Sequence, residues 1–197
     1  MYAPTLTWSL PNDQKEIFLT FDDGPHPIIT PYVLKWLKEY DAKATFFCIG
    51  KNVKQYNDVY HQIIEDGHEV GNHTYNHVNG WKTNDITYLK DVMQAKEDIK
   101  SNIFRPPYGR IKRSQIKELS PVFNIIMWDV LSGDFDVHLS PEKCLQNVVN
   151  NVSMGSIVVF HDSKKAFTRL EYALPKVLEF FHKKGYRMKA ISGKTGA

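Results

Sequence analysis

The sequence has few of the features that mark a disulfide-stapled, membrane-spanning or nucleic-acid-binding protein. It contains only two cysteines, Cys48 and Cys144, in 197 residues, which excludes the disulfide framework of small secreted domains. No apolar run is long enough to cross a bilayer. The net charge is +3 and no compact block of lysine and arginine occurs, so we expect no nucleic-acid partner.

Targeting signals and domain boundaries are also missing. Met1 to Leu10 lack both a basic start and an apolar core, so no signal peptide is visible. We therefore expect either a cytoplasmic protein or a sequence that has lost its leader. No internal repeat, low-complexity segment or Pro/Gly linker interrupts the chain, which predicts a single domain over residues 1–197. We expect this domain to be a monomer.

Several common catalytic signatures are absent as well. There is no Gly-x-Ser-x-Gly nucleophile elbow and no Gly-x-Gly-x-x-Gly loop. The two cysteines lack the spacing of a zinc finger. A serine hydrolase of the elbow type, a dinucleotide-binding enzyme and a cysteine-based zinc site are therefore not indicated.

The sequence instead alternates short apolar runs with segments of helical periodicity. The predicted strands are residues 17–21, 44–49, 68–71, 103–105, 123–128, 157–160 and 186–190. The predicted helices are residues 30–40, 56–66, 83–100, 114–119, 141–152 and 170–184, with Thr30 and Ser140 as N-caps. This alternation predicts an α/β fold with a parallel sheet, either wound into a small barrel or open and doubly wound.

Polar residues follow the predicted strands at the point where each strand ends. They are Asp22, Asp23, His73, Arg105, Asp129 and His161. In barrels and open sheets alike, active sites are assembled at the carboxyl ends of the strands. We therefore expect these side chains to lie close together.

The pentad His73-Thr74-Tyr75-Asn76-His77 is the strongest indication of a metal site. Two imidazoles four positions apart share one face of a helical turn, and a carboxylate from Asp22-Asp23 would add a third ligand. Three ligands leave one position open, as in catalytic zinc sites. The aspartates could instead belong only to a tight Asp-Gly-Pro turn. If one aspartate binds the metal, the other is free to act as a base.

Two further segments carry candidate catalytic groups. The two prolines of Arg105-Pro106-Pro107-Tyr108-Gly109 make a stiff turn, which could fix the Tyr108 and Gly109 amides as donors to an oxyanion. Arg105 could pair with an aspartate. His161 follows an apolar strand and is a candidate general acid, because histidine can donate a proton near neutral pH.

Five segments in this order resemble the NodB homology domain of polysaccharide deacetylases, carbohydrate esterase family four. They are residues 20–25, 73–77, 105–109, 128–135 and 159–162, within a similarity that spans residues 16–192. The resemblance implies a distorted (β/α) barrel of about seven parallel strands. It also implies metal-dependent removal of N-acetyl groups from an amino-sugar polymer or oligosaccharide of the chitooligosaccharide or peptidoglycan type.

The resemblance also implies a metal site and its ligands. Asp23, His73 and His77 would bind the ion, which is expected to be Zn²⁺, with Co²⁺, Mn²⁺ and Ni²⁺ as alternatives. Thr74, between the two histidines, is a candidate supporting residue.

Acid–base roles follow from the same resemblance. Asp22 would be the general base, oriented by Arg105, and His161 the general acid, while the Tyr108 amide would complete the oxyanion site.

The sequence departs from the family in one segment. Leu131 stands where the family has the aspartate that tunes the acid histidine, and Phe135 replaces a tryptophan. Asp129 is the candidate replacement for that aspartate.

Two other functions remain open at this stage. One is a metal-dependent amidase that acts on a non-sugar amide or a cyclic imide. The other is a non-catalytic carbohydrate-binding protein with a structural metal. A structural site needs no spare carboxylate, so the adjacent pair Asp22-Asp23 favours an enzyme.

Overall fold

The computed structural model describes residues 6–192, so the first five residues of the segment inspected for a leader lie outside it. The strands in this range are β1 Glu16–Asp22, β2 Thr45–Cys48, β3 Glu69–Asn72, β4 Ile103–Phe104, β5 Asn124–Ile125, β6 Val130–Leu131, β7 Ile157–His161 and β8 Arg187–Met188. The helices are α1 Ile29–Glu39, α2 Gly50–Gln55, α3 Asn57–Glu65, α4 Asp85–Asp98, α5 Arg113–Leu119, α6 Pro141–Val149 and α7 Phe167–Lys183.

The strands form one parallel sheet in the order β5-β4-β3-β2-β1-β7-β6, with β8 beside the start of β1. Residues 126–129 join β5 to β6 without a helix. The chain from β5 to β6 therefore pairs with β4 at its beginning and with β7 at its end. This connection curls the sheet, and the prediction of a distorted barrel of about seven parallel strands is confirmed.

Strand β1 lies at the centre of the sheet and carries the core. The Phe21 ring stacks on Phe46 of β2, with ring centres 5.1 Å apart, and on Phe160 of β7 at 6.0 Å. All three side chains are buried. Each buried ring stabilises the fold by about 1.5–3 kcal/mol. The residues that follow Phe21 are therefore held by a rigid strand.

An N-terminal segment that sequence patterning did not identify packs along the β5–β6 connection. The Thr7 N–H donates to the Ile125 carbonyl at 2.9 Å, and the Met127 N–H donates to the Thr7 carbonyl at 2.7 Å. Ser9 then bridges to Ser156, just before β7. Two isolated bridges have no hydrophobic periodicity, which is why the sequence did not predict them.

Several element boundaries differ from the predictions. A separate helix, α2, precedes the predicted helix over residues 56–66, and the two-residue strand β6 was not predicted. Thr30 is not an N-cap, because α1 begins at Ile29 and the Thr30 hydroxyl donates to the buried carboxylate of Asp162 at 2.5 Å. Ser140 does cap α6 by accepting from the Lys143 N–H at 3.2 Å. No helix within residues 6–192 is long and apolar enough to cross a membrane.

Candidate metal and acid–base site

Adjacent strands bring two of the predicted catalytic residues side by side. Asp22 of β1 and His161 of β7 are partners in the parallel register, at the carboxyl ends of both strands. Asp22 is buried, and His161 is partly exposed. Neighbouring residues in register present their side chains to the same face of a sheet. The two side chains therefore lie on the same face of the sheet, at the same edge.

Asp23, His73 and His77 converge beside this pair. Their ligand atoms all lie within 4.8 Å of one another. The Asp23 Oδ1 atom lies 3.1 Å from Nε2 of His77 and 3.8 Å from Nε2 of His73. Asp23 adopts a left-handed backbone conformation, with φ of 82°, directly after β1. The sharp turn lets adjacent aspartates point in different directions, one into the barrel and one towards the histidines.

The two histidines are not on a helical turn, and the prediction of helical geometry was wrong. Residues 73–79 are an irregular loop after β3, in which Thr74 and His77 have φ of 65° and 57°. The imidazole centres are nevertheless 5.1 Å apart. Side chains rather than helical hydrogen bonds hold the loop, since the Asn72 side chain accepts from the Thr74 N–H at 2.8 Å.

Asp91 of α4 is the main support of residues 73–79, called the histidine loop below, and sequence reasoning missed it. Its Oδ1 atom accepts from the Tyr75 and Asn76 N–H groups at 2.7 and 2.9 Å, and its Oδ2 atom from the Asn76 amide at 2.6 Å. The available signal was a carboxylate on the buried face of α4, next to Val92. A buried carboxylate requires several donors, and backbone N–H groups provide them here.

Thr74, the candidate supporting residue, is bonded within the histidine loop. The side chain is buried, its Oγ1 atom accepts from the Val78 N–H at 3.3 Å, and its carbonyl accepts from the Gly50 N–H at 2.9 Å. These bonds join the histidine loop to itself and to α2.

The protonation of His73 suits a metal ligand. Its Nδ1 atom lies 2.7 Å from the Arg105 carbonyl oxygen. A carbonyl only accepts, so Nδ1 carries the hydrogen and Nε2 is left with a free lone pair facing Asp23. Burial lowers the pKa of His73 to about 4, against the opposing effect of Asp22, so the imidazole is neutral at pH 7. Metal-binding histidines must be neutral.

The donor set fits a divalent ion such as zinc. Zinc takes imidazole nitrogen and carboxylate oxygen at about 2.0–2.2 Å, which puts tetrahedral neighbours about 3.3–3.5 Å apart. The separations of 3.1 and 3.8 Å bracket this value. Two nitrogens and one oxygen match the ligand class of catalytic rather than structural zinc sites. Burial alone would raise the pKa of Asp23, but the hydrogen bond with His77 and the charge of His161 outweigh it and hold the pKa below its usual range.

Arg105 is fully buried and makes four hydrogen bonds through its guanidinium. Nη1 donates to Asp22 Oδ1 at 2.8 Å and to the Thr20 hydroxyl at 2.7 Å. Nη2 donates to the Met127 carbonyl at 2.8 Å, and Nε to the Ile126 carbonyl at 3.2 Å. The guanidinium also lies 4.1 Å from the Phe47 ring centre. This network fixes the Asp22 carboxylate in one orientation.

The stiff turn after Arg105 presents Tyr108 to the site. Tyr108 has φ of 61°, and its exposed ring lies 4.6 Å from the His77 ring, centre to centre. The following amides of Gly109 and Arg110 are used within the turn. Among residues 6–192, no acceptor lies within hydrogen-bonding reach of the Tyr108 N–H. A free amide beside a metal ligand is suited to stabilise an oxyanion.

His161 pairs with Asp134, and the suggestion that Asp129 is its partner was wrong. The Asp134 Oδ1 atom lies 2.7 Å from Nδ1 of His161, and its Oδ2 atom accepts from the His161 N–H at 2.7 Å. Asp129 instead accepts from the Ser156 hydroxyl and the Ile157 N–H, at the opposite end of β7. Because no helix separates β5 from β6, Asp129 immediately precedes β6 and lies at the amino ends of the strands.

Asp134 determines the charge of His161. Burial alone lowers the pKa of the imidazole, but the Asp134 carboxylate, with smaller contributions from Asp23 and Asp22, raises it to about 9. The Phe135 ring lies edge-on to the imidazole, 5.3 Å between centres. His161 is therefore a protonated donor near neutral pH. Leu131 is more than one-third exposed and takes no part in this pair.

A curled α/β barrel carries a buried carboxylate, a protonated histidine and an Asp-His-His cluster at its carboxyl edge, an arrangement typical of a hydrolase. The sequence profile of the polysaccharide deacetylase family matches residues 9–121. The chain therefore belongs to the polysaccharide deacetylase family.

Three similar proteins illustrate this relationship. A peptidoglycan-N-acetylglucosamine deacetylase of Bacillus cereus is 34% identical over 194 residues, covering 95% of this chain and 91% of that protein. A chitooligosaccharide deacetylase of Azorhizobium caulinodans is 33% identical over 158 residues, covering 76% and 75%. A crystal structure of a peptidoglycan N-acetylglucosamine deacetylase, in complex with a naphthalenyl N-oxidanyl-benzamide, has a TM-score of 0.90 at 31% identity and covers 98% and 96%.

Proposed function

We propose that this chain is a metal-dependent deacetylase that hydrolyses the N-acetyl group of an amino sugar in a peptidoglycan or chitooligosaccharide glycan. The observation that carries the proposal is the register pairing of Asp22 with His161 beside the Asp23–His73–His77 cluster. A base and an acid on neighbouring strands flank the place where three ligands meet. The relatives named as peptidoglycan and chitooligosaccharide deacetylases support the substrate class.

Asp23, His73 and His77 would hold the cation, and zinc suits their two nitrogens and one oxygen. When bound there, it would supply Lewis acidity, polarise the amide carbonyl and lower the pKa of a water molecule.

Asp22 acts as the general base in this proposal. Its Oδ1 atom accepts from Arg105, which leaves Oδ2 available to receive a proton from the attacking water. Because Arg105 is immobile, the carboxylate stays oriented through the reaction. General bases of this kind contribute about 10²- to 10⁴-fold to the rate.

The Tyr108 amide stabilises the negative charge that develops on the carbonyl oxygen. Its left-handed conformation and the prolines before it hold the N–H in place without reorganisation. One such donor contributes about 3–4 kcal/mol to transition-state stabilisation.

His161 acts as the general acid. Asp134 binds Nδ1, so Nε2 is the nitrogen that carries a transferable proton. Donation to the leaving nitrogen is required, because an amide anion is a very poor leaving group. The product is a free amine on the sugar together with acetate.

Acetate release tests the proposal. Purified protein is incubated with acetylated peptidoglycan glycan strands, with chitooligosaccharides and with small non-sugar amides, before and after removal of metal by a chelator. We expect acetate from at least one glycan, loss of release after chelation and recovery with Zn²⁺. Release from the non-sugar amides alone, or undiminished release without metal, would refute the proposed function.

A further inference from the structure

Two loops that start at the candidate site meet again a few residues further along the chain. The Gly80 N–H donates to the Arg110 carbonyl at 3.2 Å, and the Trp81 indole N–H donates to the Ile111 carbonyl at 3.1 Å. Trp81 follows His77 by four residues, and Arg110 follows Tyr108 by two. The junction therefore borders the site on the side of His77 and Tyr108.

Arg110 and Trp81 form an exposed stack at this junction. The guanidinium carbon lies 4.1 Å from the centre of the Trp81 ring, and 56% of Trp81 is exposed. The hydrogen bond to Ile111 keeps the ring in place. A guanidinium that rests on an aromatic face keeps its N–H edges free and loses little conformational freedom when it binds.

Arg110 has no carboxylate partner among residues 6–192. Asp85, the acidic residue at the start of α4, is already bound by Lys112, Ser114 and Gln115. The charge of Arg110 is therefore uncompensated, beside a site that must bind a polymer.

We propose that Arg110, seated on Trp81, binds a carboxylate of an anionic glycan and so selects peptidoglycan over neutral chitooligosaccharides. This inference rests on the proposed function. A guanidinium fork matches a carboxylate through two parallel hydrogen bonds, which a neutral sugar hydroxyl does not reproduce. Peptidoglycan carries carboxylates on its lactyl ethers or on the peptides attached to them, whereas chitooligosaccharides carry none.

Matched substrates separate the effect of the glycan's carboxylate charge from all other contacts. Peptide-free glycan strands have free lactyl carboxylates, and peptide-bearing strands have carboxylates on the peptide. Each is compared with its methylamidated counterpart, in which the carboxylates are neutral and the acetylated sugars unchanged. Acetate release gives kcat and KM for the wild type and for Arg110→Gln, with Arg113→Gln as the control. Arg113 is also exposed and only three residues away, but it stacks on no ring within the described range 6–192.

Arg110→Gln is expected to raise KM about tenfold on one or both carboxylate-bearing glycans and to leave kcat unchanged. This increase corresponds to the loss of one hydrogen bond to a charged group. The glycan on which KM rises shows whether Arg110 binds the lactyl or the peptide carboxylate. Methylamidated strands should be hydrolysed equally by both proteins. An equal effect on charged and neutral strands, no effect on either, or the same loss in Arg113→Gln would overturn the inference. Wild-type protein that releases no acetate from any glycan would instead refute the proposed function itself.

Discussion

The carboxylate of Asp134 lies 2.7 Å from Nδ1 of His161 and also accepts from the His161 backbone N–H. Asp134 is fully buried, and its own carbonyl accepts from the Arg169 side chain at 2.7 Å, so its position is fixed from both sides. The pair keeps the imidazole protonated at neutral pH and directs its other nitrogen outward. The acid role proposed for His161 therefore depends on a residue that follows a strand of only two residues.

Asp134→Asn is expected to move the alkaline limb of the kcat/KM profile to lower pH. Without the carboxylate, the imidazolium loses its main stabilising charge, and the pKa of His161 falls by about 1–3 units. The pH profile of acetate release measures this shift. Asp129→Asn is the matched control and should leave the limb in place, because Asp129 binds Ser156 and Ile157 instead. A shift in the control and none in Asp134→Asn would contradict the assignment.

The same pair predicts a pH dependence of stability in the metal-free protein. The pKa of His161 is raised from about 6.5 to about 9 on folding, so the pair stabilises the fold fully below pH 6.5. This contribution is lost as the pH rises through 9. Asp134→Asn should therefore lower the midpoint of thermal unfolding most at pH 6 and much less at pH 10. A difference that grows with pH would have the wrong sign.

Asp22→Asn is expected to retain metal and to lose about 10²- to 10⁴-fold in kcat, since the asparagine cannot take a proton. The variant also leaves the buried Arg105 charge without its partner, which costs about 3–5 kcal/mol in the free energy of unfolding. Single-turnover acetate release, zinc content and urea unfolding measure the three effects. An unchanged turnover rate in a folded, zinc-loaded variant would remove Asp22 as the base.

Asp91→Ala is expected to weaken metal binding without touching a ligand. The substitution removes the acceptor of the Tyr75 and Asn76 N–H groups, so the loop between His73 and His77 loses its support. Loss of such supporting contacts weakens metal affinity by about 10- to 100-fold. Titration with zinc measures the affinity. Glu97→Ala, an exposed change on the same helix, is the control, and equal affinities in both variants would contradict this role.

Sequence patterns were sufficient to locate most of the site. Asp22 and His161 end buried parallel strands, and His73 and Arg105 directly follow two others; this topology alone brings the four residues to one edge of the sheet. Strands such as β1 and β7 can be predicted from the sequence because each is a continuous run of mostly apolar residues.

The remaining features depend on contacts between distant segments. The pairing of β6 with β7 places Asp129 at the amino end of β7, away from the site, and Asp134 next to His161 at its carboxyl end. A strand of two residues, such as β6, is too short to show a hydrophobic period, so the sequence did not predict it. The histidine loop is shaped by Asp91 and Asn72, so two left-handed residues replace the helical turn that the spacing suggested. The Asn72 bond is local, but the Asp91 contact comes from a different element and is not encoded in local propensity.

Zinc stoichiometry in ligand variants measures whether Asp23, His73 and His77 together bind one catalytic cation. Elemental analysis after zinc loading and dialysis is compared for the wild type, Asp23→Ala, His77→Ala and His61→Ala, where His61 is an exposed histidine of α3. We expect one zinc per chain, with acetate release, in the wild type and His61→Ala, and neither in the other two. Full zinc occupancy in Asp23→Ala and His77→Ala, or a wild type that is active without bound metal, would contradict it.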